Sequence, residues 1–434
     1  MGLIKGKETK NALWLIGGKI AQMLLSLLVG IISARYLGPS NYGLISYGSA
    51  FVSFFMAFCT LGINSVIVKD FCDNPDEQGE AIGTTIVLRL ISSLCSCVMI
   101  ITVSCVLDFG SWETVGVVAL CSVSLLFHVF DTIDKWFQFK YKSNITALSI
   151  FLAYLATSVY KIVLLILEKS VFWFAFATSV DYIALSILLW FFYKKNKGPK
   201  LSFSWKKGKK LFSQSYHYIL SGMMVSIYGQ TDKLMLKQMA GEESVGYYAT
   251  ALAVCGMWTF VLQAIIDAMY PTLMRVYNQD AELFDKKNRQ LYAIVFYLTV
   301  AVSLVFLLFG DLAIEILYGD AYMPAALPLK IITWYTAFSY FGVARNAWMV
   351  CNQKQKYIKY MYLPAAILNV LLNVILIPIW GVSGAAIASL ISQMSTSLLI
   401  PLCFKATRPN AKLMLEAIIL KDVFNKKQIV EKEL

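Results

Sequence analysis

Six cations interrupt stretches of chain that are otherwise apolar: Lys19, Arg89, Lys135, Lys161, Lys233 and Arg345. A charge at the centre of a hydrocarbon-spanning helix costs about 2.5–3.5 kcal/mol on insertion scales, so such a group faces a partner or a hydrated cavity. Lys161 lies deep in its apolar run, with Tyr154, Ser158 and Glu168 on one helical stripe. Two readings of it stay open: a cavity-facing cation, or an ion pair with an acid on another helix. Arg89 shares a stripe with Thr85, Ser93 and Ser96. His128, Asp131, Lys135 and Gln138 recur along one face near the end of a span, which fits a gate or snorkelling as well as ligand contact. In the second half of the chain, Tyr228 and Asp232 share a face beside Lys233. Gln263 with Asp267, and Asn369 with Asn373, stand one helical turn apart, and Thr333, Thr336 and Tyr340 precede Arg345. Polar residues in spans also serve as plain helix contacts. Their sum describes a hydrated cavity of net positive charge. That is binding chemistry: Arg and Lys hold phosphate or pyrophosphate through charge-assisted hydrogen bonds, while amides, Tyr and Trp suit a polar glycan.

The elements that carry these residues are membrane helices. The chain has 434 residues, 58% hydrophobic and only 15% charged, too little charge to cover a soluble protein of this length. The apolar runs approach 20 residues, the length that spans a bilayer as helix. Twelve helices are expected, at about 12–36, 42–69, 82–107, 113–137, 145–168, 171–193, 209–238, 244–273, 289–309, 325–351, 357–379 and 384–404. The first is retained and is no cleaved signal. Net charge is +12, but the distribution points to topology and away from nucleic acid. Of the 38 lysines and arginines, 28 fall in one set of alternate loops and 4 in the other. The positive-inside rule then puts both termini in the cytoplasm and favours an even helix count. The basic stretch 194–210 divides the chain into a lobe at 1–198 and a lobe at 199–434. The nine cysteines lie mostly inside apolar runs and read as free, packed thiols, with no metal-site spacing. No P-loop is present, and the outer loops are too short for a catalytic site, so no enzyme is expected.

The two halves repeat. At an offset of 203, Gly38 matches Gly241, Gly43 matches Gly246 and Ala50 matches Ala253. At an offset of 212, Trp136 matches Trp348, Lys142 matches Lys354 and Lys161 matches Asn373. An even number of helices per half makes the repeat parallel, an arrangement of transporters with a site between two lobes.

Three segments carry a resemblance: ARYLGPSNYG at 34–43, TDKLMLKQMAG at 231–241 with VGYYATA at 245–251, and ILNVLLNVILIPIWGVSGAAIASLISQ at 367–393. With them the chain resembles the Wzx-type polysaccharide flippases of the multidrug/oligosaccharidyl-lipid/polysaccharide exporter superfamily. The resemblance implies an all-α, MATE-like polytopic fold of two six-helix lobes. It implies movement of a polyprenyl-diphosphate-linked oligosaccharide from the cytoplasmic to the outer leaflet, by alternating access through a cationic central cavity, for cell-surface polysaccharide. Carried over by position, cavity binding falls to Arg89, Lys161 and Arg345, then Lys233, with Asp232, Asn369, Asn373 and Tyr228. Asp131, Lys135 and Asp267 are candidates for ion coupling or a gate. No cofactor is expected; coupling to H+ or Na+ stays open. The expected partners are the lipid-linked oligosaccharide and membrane lipids, with a polysaccharide polymerase or ligase left open and a monomer as the unit. A bacterial plasma (inner) membrane is the expected location. The rivals are a multidrug or toxin extruder and a lipid II-type exporter of the same superfamily.

Overall fold

The computed structural model describes residues 7–421; nothing is described of 1–6 and 422–434, or of the side chains of 7–24, 65, 220 and 221. Lys5, Lys7, Lys10, Lys19, Lys426, Lys427 and Lys432, all among the 38 lysines and arginines counted above, lie outside the described side chains. The described chain is helical, with no strand. In order come α1 (Lys7–Thr60), α2 (Asn64–Asp73), α3 (Gln78–Leu107), α4 (Trp112–Ser122), α5 (Ser124–Phe127), α6 (Asp131–Phe139), α7 (Ser143–Ile166) and α8 (Val171–Lys195). Then follow α9 (Trp205–Ala240), α10 (Glu242–Tyr277), α11 (Ala281–Tyr318), α12 (Ala326–Ala344), α13 (Asn346–Cys351), α14 (Ile358–Met394), α15 (Ile400–Cys403) and α16 (Arg408–Ile418). Among the described residues, 8 helical stretches are long and apolar enough to cross a membrane. The chain is therefore a multi-pass membrane protein. Two of those stretches fold over a glycine, at Gly38 in α1 and Gly381 in α14. The expected seventh and tenth spans fall outside the 8: α9 is rich in Lys, Gln, Ser and Tyr, and the tenth breaks at Arg345 into α12 and α13.

The repeat is written in the backbone. Gly38 (φ 71°, ψ 170°) and Gly241 (φ 84°, ψ 174°) adopt the same conformation, open to glycine alone. The turn after α6 recurs after α13, bond for bond. Lys140 N donates to Trp136 O and Asn352 N to Trp348 O, both at 3.0 Å. Lys142 N donates to Phe137 O at 2.9 Å and Lys354 N to Met349 O at 2.8 Å. Tyr141 and Gln353, between them, both take positive φ (54° and 53°). Both tryptophans are buried.

The chain forms two compact units that divide at Gln238, not at 198. The cause is α9, which follows the basic connection yet packs along the first unit. At its start, Lys207 Nζ meets Asp70 at 2.8 Å and Glu77 at 2.9 Å. Midway, Ser215 and Ile219 pass so close to Gly62 that a Cβ there would lie 2.7 Å from Ser215 O. At its end, Gln238 Nε2 donates to Asp108 Oδ1 and to the Tyr47 hydroxyl, each at 2.9 Å. The first unit has a core of Ile63, Ile67, Phe71, Ile82, Ile133 and Phe137. The second is built around Leu291, Tyr292, Phe341, Met349, Met361 and Met414.

Candidate functional site

Each unit contains an interrupted helix, and carbonyls along it accept hydrogen bonds from side chains of its neighbours. In the first unit the expected fourth span divides into α4, α5, a 3-10 turn (His128–Phe130) and α6. Ser122 and Ser124 turn their hydroxyls back on Ala119 O and Cys121 O, offering the backbone an alternative to regular helix. Past the break, Cys59 Sγ contacts Leu125 O, Ser186 Oγ donates to Phe127 O at 2.8 Å, and Arg89 donates to His128 O at 3.2 Å. In the second unit Cys255 Sγ contacts Ile332 O and Ser397 Oγ donates to Phe338 O. Arg345, at the break between α12 and α13, donates to Thr396 O at 2.7 Å. Thr396 lies in a π-helical turn (Ser395–Leu399), which leaves carbonyls off the α-helical ladder.

This places the two arginines. Arg89 is fully buried: Nη1 donates to Asn64 Oδ1 at 3.2 Å and Thr132 Oγ1 at 3.0 Å, and Nη2 lies 3.1 Å from His128 Nδ1. Asn64 in turn donates to Asp131 Oδ2 at 2.8 Å, which supplies the balancing charge at one remove. Arg345 is also buried, with its guanidinium 5.9 Å from the Tyr362 ring centre. Both cations hold the fold at a helix break. Lys135 pairs with Asp134 at 3.0 Å, and Gln138 donates to the same carboxylate at 2.7 Å.

Lys161 stands apart from these. It is half-buried on α7, and among the described residues it makes no hydrogen bond and no ion pair within 4 Å. Asp181 on α8 acts on it electrostatically, and that carboxylate accepts from Thr157 Oγ1 at 3.3 Å. Ser158 and Tyr154 share its face as the helical spacing implies. Glu168 does not extend the stripe: α7 ends at Ile166, and Glu168 turns away with φ 49°. The 212 register puts Thr157 and Lys161 at the places of Asn369 and Asn373 in the second unit. Those two asparagines are buried, and Asn373 Nδ2 donates to Asn369 Oδ1 at 3.1 Å. The repeat thus has a polar pair at equivalent positions, cationic in one copy and neutral in the other.

The remaining candidates are dispersed. Asp232 is buried on α9, and its neighbour Lys233 is half-buried; Tyr228 lies one turn earlier on Asp232's face. Asp267 is exposed and accepts from Gln263 at 2.9 Å. Sequence reasoning overlooked Asn64, Asp134 and Asp108. Asp134 had a signal, since it is adjacent to Lys135. Asn64 had none, because its link between Arg89 and Asp131 exists only once three helices meet. Asp108 closes α3 and accepts from Tyr47, Ser104 and Gln238.

The comparisons with known proteins agree with this architecture. A family model described as "Polysaccharide biosynthesis protein" matches residues 9–277, more than half the chain. The fold is that of polytopic membrane transporters, and the chain belongs to this polysaccharide biosynthesis family. It is 21% identical over 395 residues to the capsular polysaccharide biosynthesis protein CapF of Staphylococcus aureus, covering 88% of this chain and 96% of that one. Two solved structures share the fold with a TM-score of 0.69. One is an inward-facing multidrug resistance MATE family transporter of the MOP superfamily, 16% identical, covering 93% of this chain and 96% of that one. The other is the lipid II flippase MurJ, inward closed, 12% identical, covering 94% and 91%.

Proposed function

We propose that this chain is a flippase that carries a polyprenyl-diphosphate-linked oligosaccharide from the cytoplasmic to the outer leaflet by alternating access, for cell-surface polysaccharide. The observation that carries the reading is Lys161, a half-buried cation in a membrane helix that, among the described residues, makes no hydrogen bond or close ion pair and feels only the charge of Asp181, in a chain of the polysaccharide biosynthesis family. Such a group is costly unless it is used. A diphosphate is the ligand that an ammonium group in a water-accessible site binds well. Arg89 and Arg345 are already spent on helix breaks, so in this reading they shape the site, while Lys161 contacts the anion. Thr157, Tyr154 and Asp181 beside it offer hydroxyl and carboxylate partners to sugar. Lys233, Asp232 and Tyr228 on α9, and the Asn369–Asn373 pair, are assigned to the glycan. Asp131 and Lys135 are tied to Asn64 and Asp134 and suit a gate, whereas exposed Asp267 is the freer candidate for ion coupling to H+ or Na+. The chain works without a cofactor and without catalysis, as a monomer in a bacterial plasma membrane with both termini cytoplasmic. It delivers its cargo to a polymerase or ligase outside.

The second reading is a drug extruder, favoured by the MATE-type fold and by Asp181, an acid that suits an organic cation. A leaflet assay separates the two. Cells lacking the gene accumulate the lipid-linked intermediate on the cytoplasmic face, scored with impermeant label on right-side-out and inverted vesicles. Wild type clears it and Lys161→Ala does not. An unchanged leaflet distribution with greater sensitivity to cationic drugs would overturn the flippase reading.

A further inference from the structure

The second unit carries a short helix beyond its last apolar stretch. After the last span, α16 docks on α11: Asn410 donates to the Tyr292 hydroxyl, Arg289 Nη1 meets Glu416 at 2.9 Å, and the Tyr297 hydroxyl donates to Ile418 O at 2.6 Å. Its inner face, Ala411, Leu413, Met414 and Ala417, is buried. Its opposite face carries Arg408 and Lys412 at one end and Leu415 and Ile419 at the other, spaced three or four residues apart on one helical stripe. Ile419 is 70% exposed, an extreme value for a large aliphatic side chain on a helix otherwise well docked.

Two observations say what covers this face. First, the apolar end is continuous with α11's outward stripe, because Ile418 sits on Tyr297, and Ile294, Tyr297, Leu304 and Leu308 of that stripe are all exposed. Those residues belong to a helix that crosses the bilayer, so the surface they share with Ile419 meets lipid. Second, the exposed charges there are positive, while the acids Glu416 and Asp285 are half-buried beside Arg289. Lys356 precedes α14 and Lys359 lies in its first turn, and their neighbours Tyr357 and Tyr360 each lie 6.2 Å, ring to ring, from Phe404. That brings the basic turn beside Lys405 and the start of α16. Glu416 is the sole acid from residue 321 to 421, and it is taken up by Arg289 and Lys421.

We propose that α16 and the Lys356–Lys359 turn form a belt that binds the anionic phospholipid headgroups of the cytoplasmic leaflet. Leu415 and Ile419 insert at the acyl boundary, while Lys356, Lys359, Lys405, Arg408 and Lys412 hold headgroup phosphates, and Tyr357, Tyr360 and Phe404 sit at headgroup depth. Amphipathic helices with cations beside an apolar edge bind membranes in this way, and each basic residue strengthens the attraction to an anionic surface. The inference rests on the chain crossing a bilayer and not on what it transports, so the leaflet assay and the following test fail independently.

The test uses full-length protein in nanodiscs of phosphatidylcholine, with or without phosphatidylglycerol. A fluorophore is placed at Ile419→Cys after the exposed Cys72, Cys95 and Cys403 are changed to serine. The label is expected to be quenched by nitroxide-bearing lipid and shielded from aqueous iodide. Shielding should rise with phosphatidylglycerol and fall with salt. The triple variant Lys356→Gln/Arg408→Gln/Lys412→Gln should lose the phosphatidylglycerol dependence, with affinity roughly fivefold weaker for each charge removed. These three side chains are exposed; Arg408 Nε also donates to Leu402 O at 2.8 Å, so the unfolding temperature of the variant is read alongside and should stay close to that of the unsubstituted protein. Quenching by iodide and not by lipid would overturn the proposal. So would shielding from both quenchers, which would assign the face to a protein partner or a second copy.

Discussion

Lys161 and Arg89 look alike in sequence, each a cation within an apolar run, and the structure gives them opposite circumstances. Arg89 meets Asn64, Thr132 and the His128 carbonyl with no exposed surface. Removing it leaves buried acceptors unpaired and Asp131 without its balancing cation, which costs about 3 kcal/mol or more. Arg89→Met should therefore lower the detergent unfolding temperature markedly, measured by loss of tryptophan signal, and lose transport in proportion to folded protein. Lys161→Ala should do the reverse, leaving unfolding within about 0.5 kcal/mol of wild type while abolishing clearance of the intermediate. Equal destabilisation by the two substitutions would remove the distinction drawn here. Sequence marked both residues as charges in spans. It could not rank them, because the groups around Arg89 come from two separate stretches of chain, Asn64 and residues 128–132.

At the level of elements, breaks in helices organise the protein. Gly38-Pro39 and Gly241 were legible as breaks, since glycine alone accepts their φ and ψ. The break at Gly381 was legible too, from Pro378 and the paired glycines. What it demands of Gly384 was not: a Cβ there would lie 2.2 Å from Leu376 O, a backbone atom that cannot turn aside. Gly384→Ala should then force the two arms of α14 apart and lower the unfolding temperature, whereas Gly256→Ala, with nothing within 4 Å of its Cβ, serves as the neutral control. The breaks within the fourth and tenth spans had no comparable warning. The first lies in a stretch, 117–138, without glycine or proline, and arises where Ser122 and Ser124 bond to their own helix and Ser186 takes up the Phe127 carbonyl; the second follows Gly342 by three residues, at Arg345, whose side chain donates to Thr396 O.

Across the whole molecule, the division of the chain follows contact and not sequence order. The basic connection reads as a boundary between lobes, yet Lys207, inside it, clamps the start of α9 to the first unit through Asp70 and Glu77. Burial alone would lower the Lys207 pKa, but the two carboxylates outweigh it and the net shift is upward from 10.5. A lysine whose folded pKa is raised contributes stability below its ordinary pKa, and loses it as pH climbs through the raised value. Wild type should therefore lose unfolding temperature on the alkaline side of 10.5 by a step that Lys207→Met lacks. A variant that tracks wild type through that range would show the clamp to be energetically idle.

Sequence by itself determined that this chain lives in a membrane, that it is all helical, and that its halves repeat. Those properties follow from composition, run length and glycine placement, which act locally. The turn shared by 136–142 and 348–354 is likewise a local pattern, readable as an offset of 212. Only the tertiary structure decided that Arg89 and Arg345 are spent on hydrogen bonds while Lys161, among the described residues, makes none, and to which unit α9 belongs. A partner such as Asn64, Asp134 or Asp108 becomes one only when packing brings it within hydrogen-bond reach, and in a low-dielectric interior that reach sets the role of every charge.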